Sequence, residues 1–309
     1  MICLVQAAGM LDLVQDLGRP GYARFGVPQG GAADPGALIQ ANRLVGNSLQ
    51  AAGLELTLRG PALAFPEGGI VALTGADMAA VRDSGLAAPR YQTLWLHPGE
   101  VLRLGTVRDG CRAYVGVGGG IATEPVMQSR ATFTAGGFGG FAGRPLRSAD
   151  RLPLGPPPFP PPYARLPPPV PADDQAVRVI PGPQGPAFDD SALVHFYGGE
   201  FRVSASSDRA GLRLEGPRLR APGGGHGPSQ ALLPGAVQVP PDGRPIVLAW
   251  DGPVTGGYPV IAGVISADLP RLAQLAPGGR ISFRVVSLEE ARAAWQARLT
   301  QWESQLEWL

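Results

Sequence analysis

The stretch VQDLGRPGYARFGVPQGGAADPGALIQANRLVGN, residues 14–47, sets a glycine-broken polar loop directly against the start of a helix. Gln15, Asp16 and Arg19 place an amide, a carboxylate and a guanidinium within five positions, while Gly18 and Pro20 impose turns in place of a strand. Asp34 followed by Pro35 marks a helix start, because a carboxylate accepts from the free amides of a first turn and proline needs no donor there. Leu38, Ala41, Leu44 and Val45 line one face of the helix expected over 35–45, and Gly46 with Asn47 suits a left-handed exit.

Outward from this stretch the chain reads as turn-rich β structure. Its 309 residues include 45 glycines and 34 prolines, mostly scattered between apolar alternations. Strands are expected at 70–73, 93–96 and 101–104, and again at 177–180, 201–205, 236–239, 246–250 and 281–286. Eleven of the nineteen positions 153–171 are proline, which favours an extended segment without a ladder of its own. That run divides the chain into a β-rich unit over 1–152, a linker over 153–176 and a second β-rich unit over 177–286. A short helix is expected at Asp268 with Pro270 in its first turn, burying Leu269, Leu272 and Leu275. Residues 287–309 read as a C-terminal amphipathic helix. Ser287 and Glu290 form a capping box there, and Leu288, Ala291, Trp295, Leu299, Trp302 and Leu306 follow helical spacing.

Composition removes several classes of function. A net charge of +1 gives no bulk electrostatic case for nucleic acid or an anionic membrane. No lysine occurs, so all 26 basic residues are arginine, which excludes a Schiff-base lysine and a Walker A lysine. Cys3 and Cys111 are too few for a disulfide framework, and His97, His195 and His226 lie far apart, so no metal is expected. No leader and no apolar run of membrane-spanning length is read, so a cytoplasmic soluble protein is expected. Residues 116–120 (GVGGG) lack the third glycine of a dinucleotide fingerprint, and 137–142 (GFGGFA) run into Pro145 in place of a helix.

Two further constellations carry chemistry. Ser206, Ser207, Asp208, Arg209, Arg213 and Glu215 offer two arginines around a glycine, a grip for a carboxylate or phosphate; a mutual salt-bridge network on a turn is the alternative. Residues 251–259 hold Asp251, Thr255, Gly256, Gly257 and Tyr258, where small residues bring backbone amides close to a ligand; a structural turn is the alternative. Gln238 belongs beside this group, since an amide donates to and accepts from a lactam or ureido group together, or is satisfied within the core.

The 14–47 stretch, with LELTLRGPALAF (54–65), LTGADM (73–78), CRAYVGVGGGI (111–121), SDRAGLRLEGP (207–217), PGAVQVPPDGRPIVL (234–248) and DGPVTGGYP (251–259), resembles the biotin-dependent carboxyltransferase-like family. That family includes the C subunit of bacterial 5-oxoprolinase, allophanate hydrolase subunit 2, KipA and the second half of the urea carboxylase carboxyltransferase domain. The resemblance implies a mainly β protein with a few helices, built from two cyclophilin-like β-barrel units. It also implies membership of an ATP-dependent 5-oxoprolinase complex that opens the lactam of 5-oxoproline to glutamate. Two alternatives are carboxyl transfer from biotin to urea or a similar amide, and a non-enzymatic KipA-like antagonist of a kinase inhibitor. ATP with magnesium is implied at the level of the complex, and biotin only for carboxyl transfer. The implied partners are a related first-half protein (the B subunit of 5-oxoprolinase, KipI-like) and a protein like the A subunit.

Both chemistries need donors aimed at a carbonyl oxygen that gathers charge. Arg19, Arg209 and the amides around Gly256 and Gly257 are the candidate donors, and Asp16 and Asp251 the candidate groups for orienting water or substrate nitrogen. Gln15, Gln238, Thr255, Tyr258 and Arg213 are candidate substrate contacts. The chain departs from the family pattern at Gly30, where a serine is usual, at Gln230, where a glutamate is usual, and at Pro253 and Val254, where polar residues are usual. Val260 replaces a common lysine, and QSRATF (128–133) loses a glycine and an aspartate. These departures weaken any acid-base or phosphate role at those positions.

Overall fold

The computed structural model describes residues 1–160, 162–168, 176–303 and 306–308. It divides into two compact units: Met1–Arg19 with Gly30–Pro169 and Trp302–Leu309, and Pro20–Gln29 with Val170–Gln301.

The first unit is two five-stranded antiparallel sheets over one core. One runs in the order Arg151–Pro153, Ile2–Ala7, Ala62–Phe65, Glu100–Arg103, Val81–Arg82. The other runs Leu11–Gln15, Gly53–Thr57, Asp109–Val117, Gly69–Asp77, Thr93–Leu96. Cys3, Val5, Leu63 and Leu102 of the first sheet meet Val14, Leu54, Leu73 and Val115 of the second in a single cluster. Helix α1 (Pro35–Leu44) covers the outer face of the second sheet, which is why Asp109–Val117 is buried along seven consecutive residues. Its seat requires missing side chains: a Cβ on Gly53 would lie 2.9 Å from Leu38 Cδ1, and one on Gly116 2.7 Å from the Ala41 carbonyl. Thr74 Oγ1 donates to the Ala37 carbonyl at 2.7 Å and fixes the helix along the sheet.

The α1 boundaries follow from local chemistry. The Asp34 carboxylate accepts from Ala37 N at 3.1 Å, Pro35 fills the first turn, and Gly46 takes φ +71° beyond the end. Leu38, Ala41, Leu44 and Val45, the expected apolar face, are all fully buried.

The second unit is an eight-stranded sheet curled nearly into a barrel. Its order is Arg280–Ile281, Phe201–Val203, Gly211–Glu215, Ile246–Leu248, Ala236–Gln238, Val260–Val264, Val177–Pro181, Phe283–Val285. The two edge strands are successive pieces of one segment interrupted at Ser282. The first piece pairs antiparallel with Phe201–Val203 and the second parallel with Val177–Pro181, so one segment joins both edges. The run expected as a single strand over 281–286 is therefore two short ladders facing opposite neighbours.

Other expectations need correction. Helix α2 (Asp190–Gly198), capped by Asp189 through Ala192 N at 2.8 Å, has no counterpart among the elements expected from sequence. Its Phe196 stacks on Phe283 with ring centroids 4.5 Å apart. The proline-rich run is not without a ladder: Ala164–Arg165 pairs with Glu307–Trp308, and Thr93 Oγ1 bonds both Ala164 N and Ala164 O at 3.1 and 3.2 Å. Ala164 and Leu166 bury into the first unit, which outweighs the proline-imposed loss of donors around them. Within the expected linker, positions 161 and 169–175 lie outside the described residues.

Helix α3 (Leu269–Ala273) carries Pro270 in its first turn and buries Leu272 as expected. Helix α4 (Leu288–Trp302) starts on the expected capping box, with Ser287 N donating to Glu290 Oε2 at 2.7 Å and Glu290 N to Ser287 Oγ at 3.1 Å. It stops at Trp302, and Glu307–Trp308 is a strand, because pairing with Ala164–Arg165 and the docking of Leu306 compete with further helix. Ala291, Ala294 and Trp295 pack on Ile265, Ala267 and Val286.

Trp302 lies over the first turn of α1. Arg43 Nη1 donates to its carbonyl at 2.7 Å, and a Cβ on Gly36 would reach within 2.5 Å of the indole Cε2. Gly36→Ala gains up to about 1 kcal/mol of helix propensity but expels the indole. The expected outcome is a red-shifted Trp302 fluorescence and faster proteolysis on the C-terminal side of Trp302, measured against a Trp302→Phe control.

Candidate functional site

Each unit carries one candidate site. In the first, the three polar residues of the opening stretch converge on residues 129–132. Gln15 Nε2 donates to the Thr132 carbonyl at 3.1 Å, and Thr132 in turn bonds Val14 O through its N at 3.0 Å and Oγ1 at 2.9 Å. The Asp16 carboxylate accepts from Gly18 N (2.8 Å), Ser129 Oγ (2.7 Å) and Arg130 N (2.5 Å). Arg19 Nη2 donates to the Ala131 carbonyl, and its guanidinium lies 5.1 Å from the Phe138 ring centroid. All three side chains are buried. Gly139, at φ +71°, stands where a Cβ would come within 3.0 Å of that guanidinium.

The chemistry of this cluster is that of a tie. Three donors fill the Asp16 carboxylate, so it joins the 16–18 turn to the 129–130 segment and leaves little capacity for orienting water. Its partner segment lies within QSRATF, residues 128–133.

A second buried network, missed in the sequence, holds the loop that leads into α1. Glu55 is fully buried; its Oε2 accepts from Ala33 N at 2.7 Å and Tyr114 Oη at 2.9 Å, and Arg112 Nε stands 3.8 Å from Oε1. Tyr114 Oη also accepts from Asp34 N at 2.7 Å, and burial with the nearby Glu55 and Asp34 charges holds its hydroxyl well above the usual tyrosine range. A charged residue inside the apolar LELTL run, on a strand buried over four of its five residues, was the available signal.

In the second unit, Arg209 and Asp251 grip each other. Arg209 Nε donates to Asp251 Oδ2 at 2.8 Å and Nη2 to Oδ1 at 3.1 Å, a buried two-pronged pair. Arg209 therefore pairs outside its own turn, with a residue of the 251–259 stretch that neither reading of the 206–215 cluster included. Asp208 closes a turn by accepting from Ala210 N and Gly211 N at 2.8 and 3.1 Å. Arg213 faces outward between the buried Leu212 and Leu214, so it does not join Arg209.

Gln238, Thr255, Gly256, Gly257 and Tyr258 do come together. Thr255–Gly256 pairs with Gln230–Ala231, and Gly227 N donates to the Gly257 carbonyl at 2.8 Å. Gln238, 3% exposed, points its Nε2 at the Tyr258 carbonyl from 3.5 Å, and a Cβ on Gly256 would lie 3.2 Å from that nitrogen. The Tyr258 ring is 38% exposed and lies 6.2 Å from the His226 ring. Gln184, which sequence reasoning passed over, pairs with Gln230 at 3.0 and 3.1 Å. The side-chain bonding around this hairpin runs through neutral amides.

Among the described residues no group of three His, Cys, Asp or Glu is arranged to hold a metal. Burial pushes the Cys3 thiol up to about 12 and raises Cys111, so neither is poised as a thiolate. The glycines of 116–120 are spent on packing: Gly116 meets Ala41, Gly118 meets Ile70 and Gly119 meets Gly155, so that stretch does not fit a nucleotide phosphate. No described helix is long and apolar enough to cross a membrane.

Two antiparallel sheets under one helix, joined in one chain to a nearly closed barrel whose polar hairpin is built of glycines and amides, define a class of carboxyltransferase-type β proteins. Residues 25–285 match the family described as carboxyltransferase domain, subdomain A and B, and the chain belongs to that family. It is similar to the 5-oxoprolinase C subunit of Escherichia coli K12, 40% identical over 306 residues, covering 97% of this chain and 96% of that protein. The Haemophilus influenzae protein of the same name is 35% identical, covering 90% and 89%. The crystal structure of the K. lactis urea amidolyase superposes with a TM-score of 0.90 at 31% identity, covering 98% of this chain and 20% of that one.

The buried pair and a buried carboxyl of the first unit each have a measurable consequence. Asp251→Ala strands a buried guanidinium and lowers stability by about 3–5 kcal/mol, whereas the double change Arg209→Met with Asp251→Leu costs far less; urea titration of the variants measures both. Asp12, 1% exposed, has its carboxyl pushed up to about 6 by burial, opposed by a hydrogen bond from Gly9 N and the Arg59 charge. The folded state holds this proton over a window from 3.8 to about 6, so stability falls as pH rises through it and the whole loss is in place above it. At about 1.4 kcal/mol per pH unit the loss is about 2–3 kcal/mol. Asp12→Asn is expected to flatten urea midpoints across that window.

Proposed function

We propose that this protein is the C component of an ATP-dependent 5-oxoprolinase, a cytoplasmic hetero-oligomer that hydrolyses the lactam of 5-oxoproline to glutamate. The observation that carries this reading is end-to-end likeness: the bacterial 5-oxoprolinase subunits match over nearly their own full length. The fungal urea amidolyases match over only 16–17% of theirs.

The 255–258 hairpin suits the amide edge of a small lactam. A lactam offers one carbonyl acceptor and one N–H donor, and a primary amide such as that of Gln238 supplies both complements. Backbone at Gly256 and Gly257 gives close approach without side-chain obstruction. Thr255 and Tyr258 add hydroxyls at exposed positions. Asp16 through its three donors, and Asp251 through Arg209, brace their loops, which leaves these carboxylates little capacity for the water-orienting role expected from sequence. ATP with magnesium serves at the level of the complex, whose other members are an A-type protein and a related first-half protein.

Co-expression with the A-type and first-half partners and an assay of ATP-dependent glutamate release from 5-oxoproline test this reading. Thr255→Val and Tyr258→Phe are each expected to raise KM for 5-oxoproline about tenfold, the worth of one hydrogen bond at about 1.4 kcal/mol, with Tm unchanged. Glutamate absent from an intact complex would sink the assignment and move the chain to biotin-dependent carboxyl transfer or to the KipA-like regulatory role.

A further inference from the structure

Gln184 and Gln230 sit 46 residues apart and form a closed, reciprocal amide pair. Gln184 Nε2 donates to Gln230 Oε1 at 3.1 Å, and Gln230 Nε2 donates to Gln184 Oε1 at 3.0 Å. Gln184 Oε1 also accepts from Val260 N at 3.0 Å, while Gln184 N donates to the Val260 carbonyl at 3.3 Å. Gln230 is the ladder partner of Gly256. The amide pair therefore spans the two ends of a short segment, reaching Gly256 through Gln230 and Val260 through Gln184. Between those ends lie only Gly257, Tyr258 and Pro259.

The direction of every bond in this strap is set by the backbone. Val260 N has only a proton to give, so the Gln184 atom facing it is the oxygen. Gln184 then presents its NH2 to Gln230, which must answer with its own oxygen and return its own NH2. Two glycines would otherwise leave 256–258 free to sample many conformations. Both glutamines are only partly buried, so their packing contributes little, and what they supply is the geometry of the turn.

We propose that Gln184 and Gln230 are positioning residues that hold 255–258 in its ligand-contacting shape through this directional amide pair. The proposal rests on the reading of that hairpin as the lactam-binding segment. It gives a signature that plain structural support lacks. An ionised glutamate at 230 would turn an oxygen on the Gln184 oxygen, whereas a protonated one restores a donor and an acceptor in the original order.

The test is Gln230→Glu in the assembled complex, followed from pH 4 to 8, an interval that spans the ordinary glutamate range. Hydrogen exchange of the Gly256, Gly257, Tyr258 and Val260 amides reports the strap, and KM for 5-oxoproline relative to wild type reports its use. Protection is expected to drop more than tenfold at pH 8 and to recover most of that loss at pH 4, with the KM ratio rising with pH over the same interval. Gln184→Ala is expected to lose protection at every pH. Unchanged protection at pH 8 overturns the strap, and loss without recovery at low pH overturns the directional pairing. Recoverable loss of protection beside a flat KM ratio overturns the positioning role by showing that this hairpin does not contact the substrate.

Discussion

The closure of the polypeptide on itself at Gly18 and Gly31 is the constraint on which the first unit depends. The chain leaves that unit after Arg19 and returns at Gly30. At the crossing Ala32 N donates to the Asp16 carbonyl at 2.8 Å, and a Cβ on Gly31 would lie 2.6 Å from Gly18 N. Gly31 also holds φ +89°, so both space and conformation demand glycine there. Two buried carboxylates secure the closure from either side. Asp16 anchors the outgoing limb to 129–130, and Glu55 anchors the returning limb to the sheet. Each is filled by hydrogen bonds from backbone and hydroxyl donors, which offsets the cost of removing a carboxylate from water. Helix α1 begins a few residues after this crossing, so its seat over the sheet inherits the precision of the closure.

What could be read from sequence was what is local. The α1 cap links Asp34 to Ala37 and the α4 capping box links Ser287 to Glu290, both at a separation of three. Apart from the Gly18 amide on Asp16, the partners described for the Gln15, Asp16 and Arg19 side chains lie more than 110 residues away, and no spacing rule connects 15–19 to 129–132. Arg209 and Asp251, 42 apart, looked like two independent functional groups because each stands in its own polar turn. Only the fold shows them spent on each other. Helix α2 escaped for a different reason. Its centre, ALVHFY, is rich in β-branched and aromatic residues of weak helix propensity, and only Ala192 and Phe196 are buried. Tertiary stacking of Phe196 on Phe283 decides that helix, and a sequence window does not contain it.

Barrel closure in the second unit has a similar origin. A strand ordinarily offers one edge to each neighbour along its length, yet 280–285 gives its first two residues to one partner and its last three to another. The break at Ser282 permits the switch, and Ser282 still contributes its carbonyl to Val177 N at 2.8 Å. Both edges of the sheet end on this one segment, which removes the exposed ladder that an open eight-stranded sheet would present. The resulting rigidity supports Val260–Val264, the strand that begins where the glycine hairpin ends.

The two candidate sites differ in the kind of polarity they use, and that difference bears on substrate. In the first unit the Asp16 carboxylate is already engaged by three donors of the protein, so it fixes its loop and has little left for a ligand. In the second, the groups beside 255–258 are amides, which keep both a donor and an acceptor at every pH near neutrality. A site of this kind discriminates poorly by charge and well by the order of donor and acceptor along a ligand edge, because a mismatched edge leaves buried polar groups unpaired. A cyclic amide presents a carbonyl beside an N–H, the same order that Gln184 and Gln230 present to one another. The internal pair is thus a copy, within the protein, of the recognition that the neighbouring hairpin is proposed to perform on its substrate.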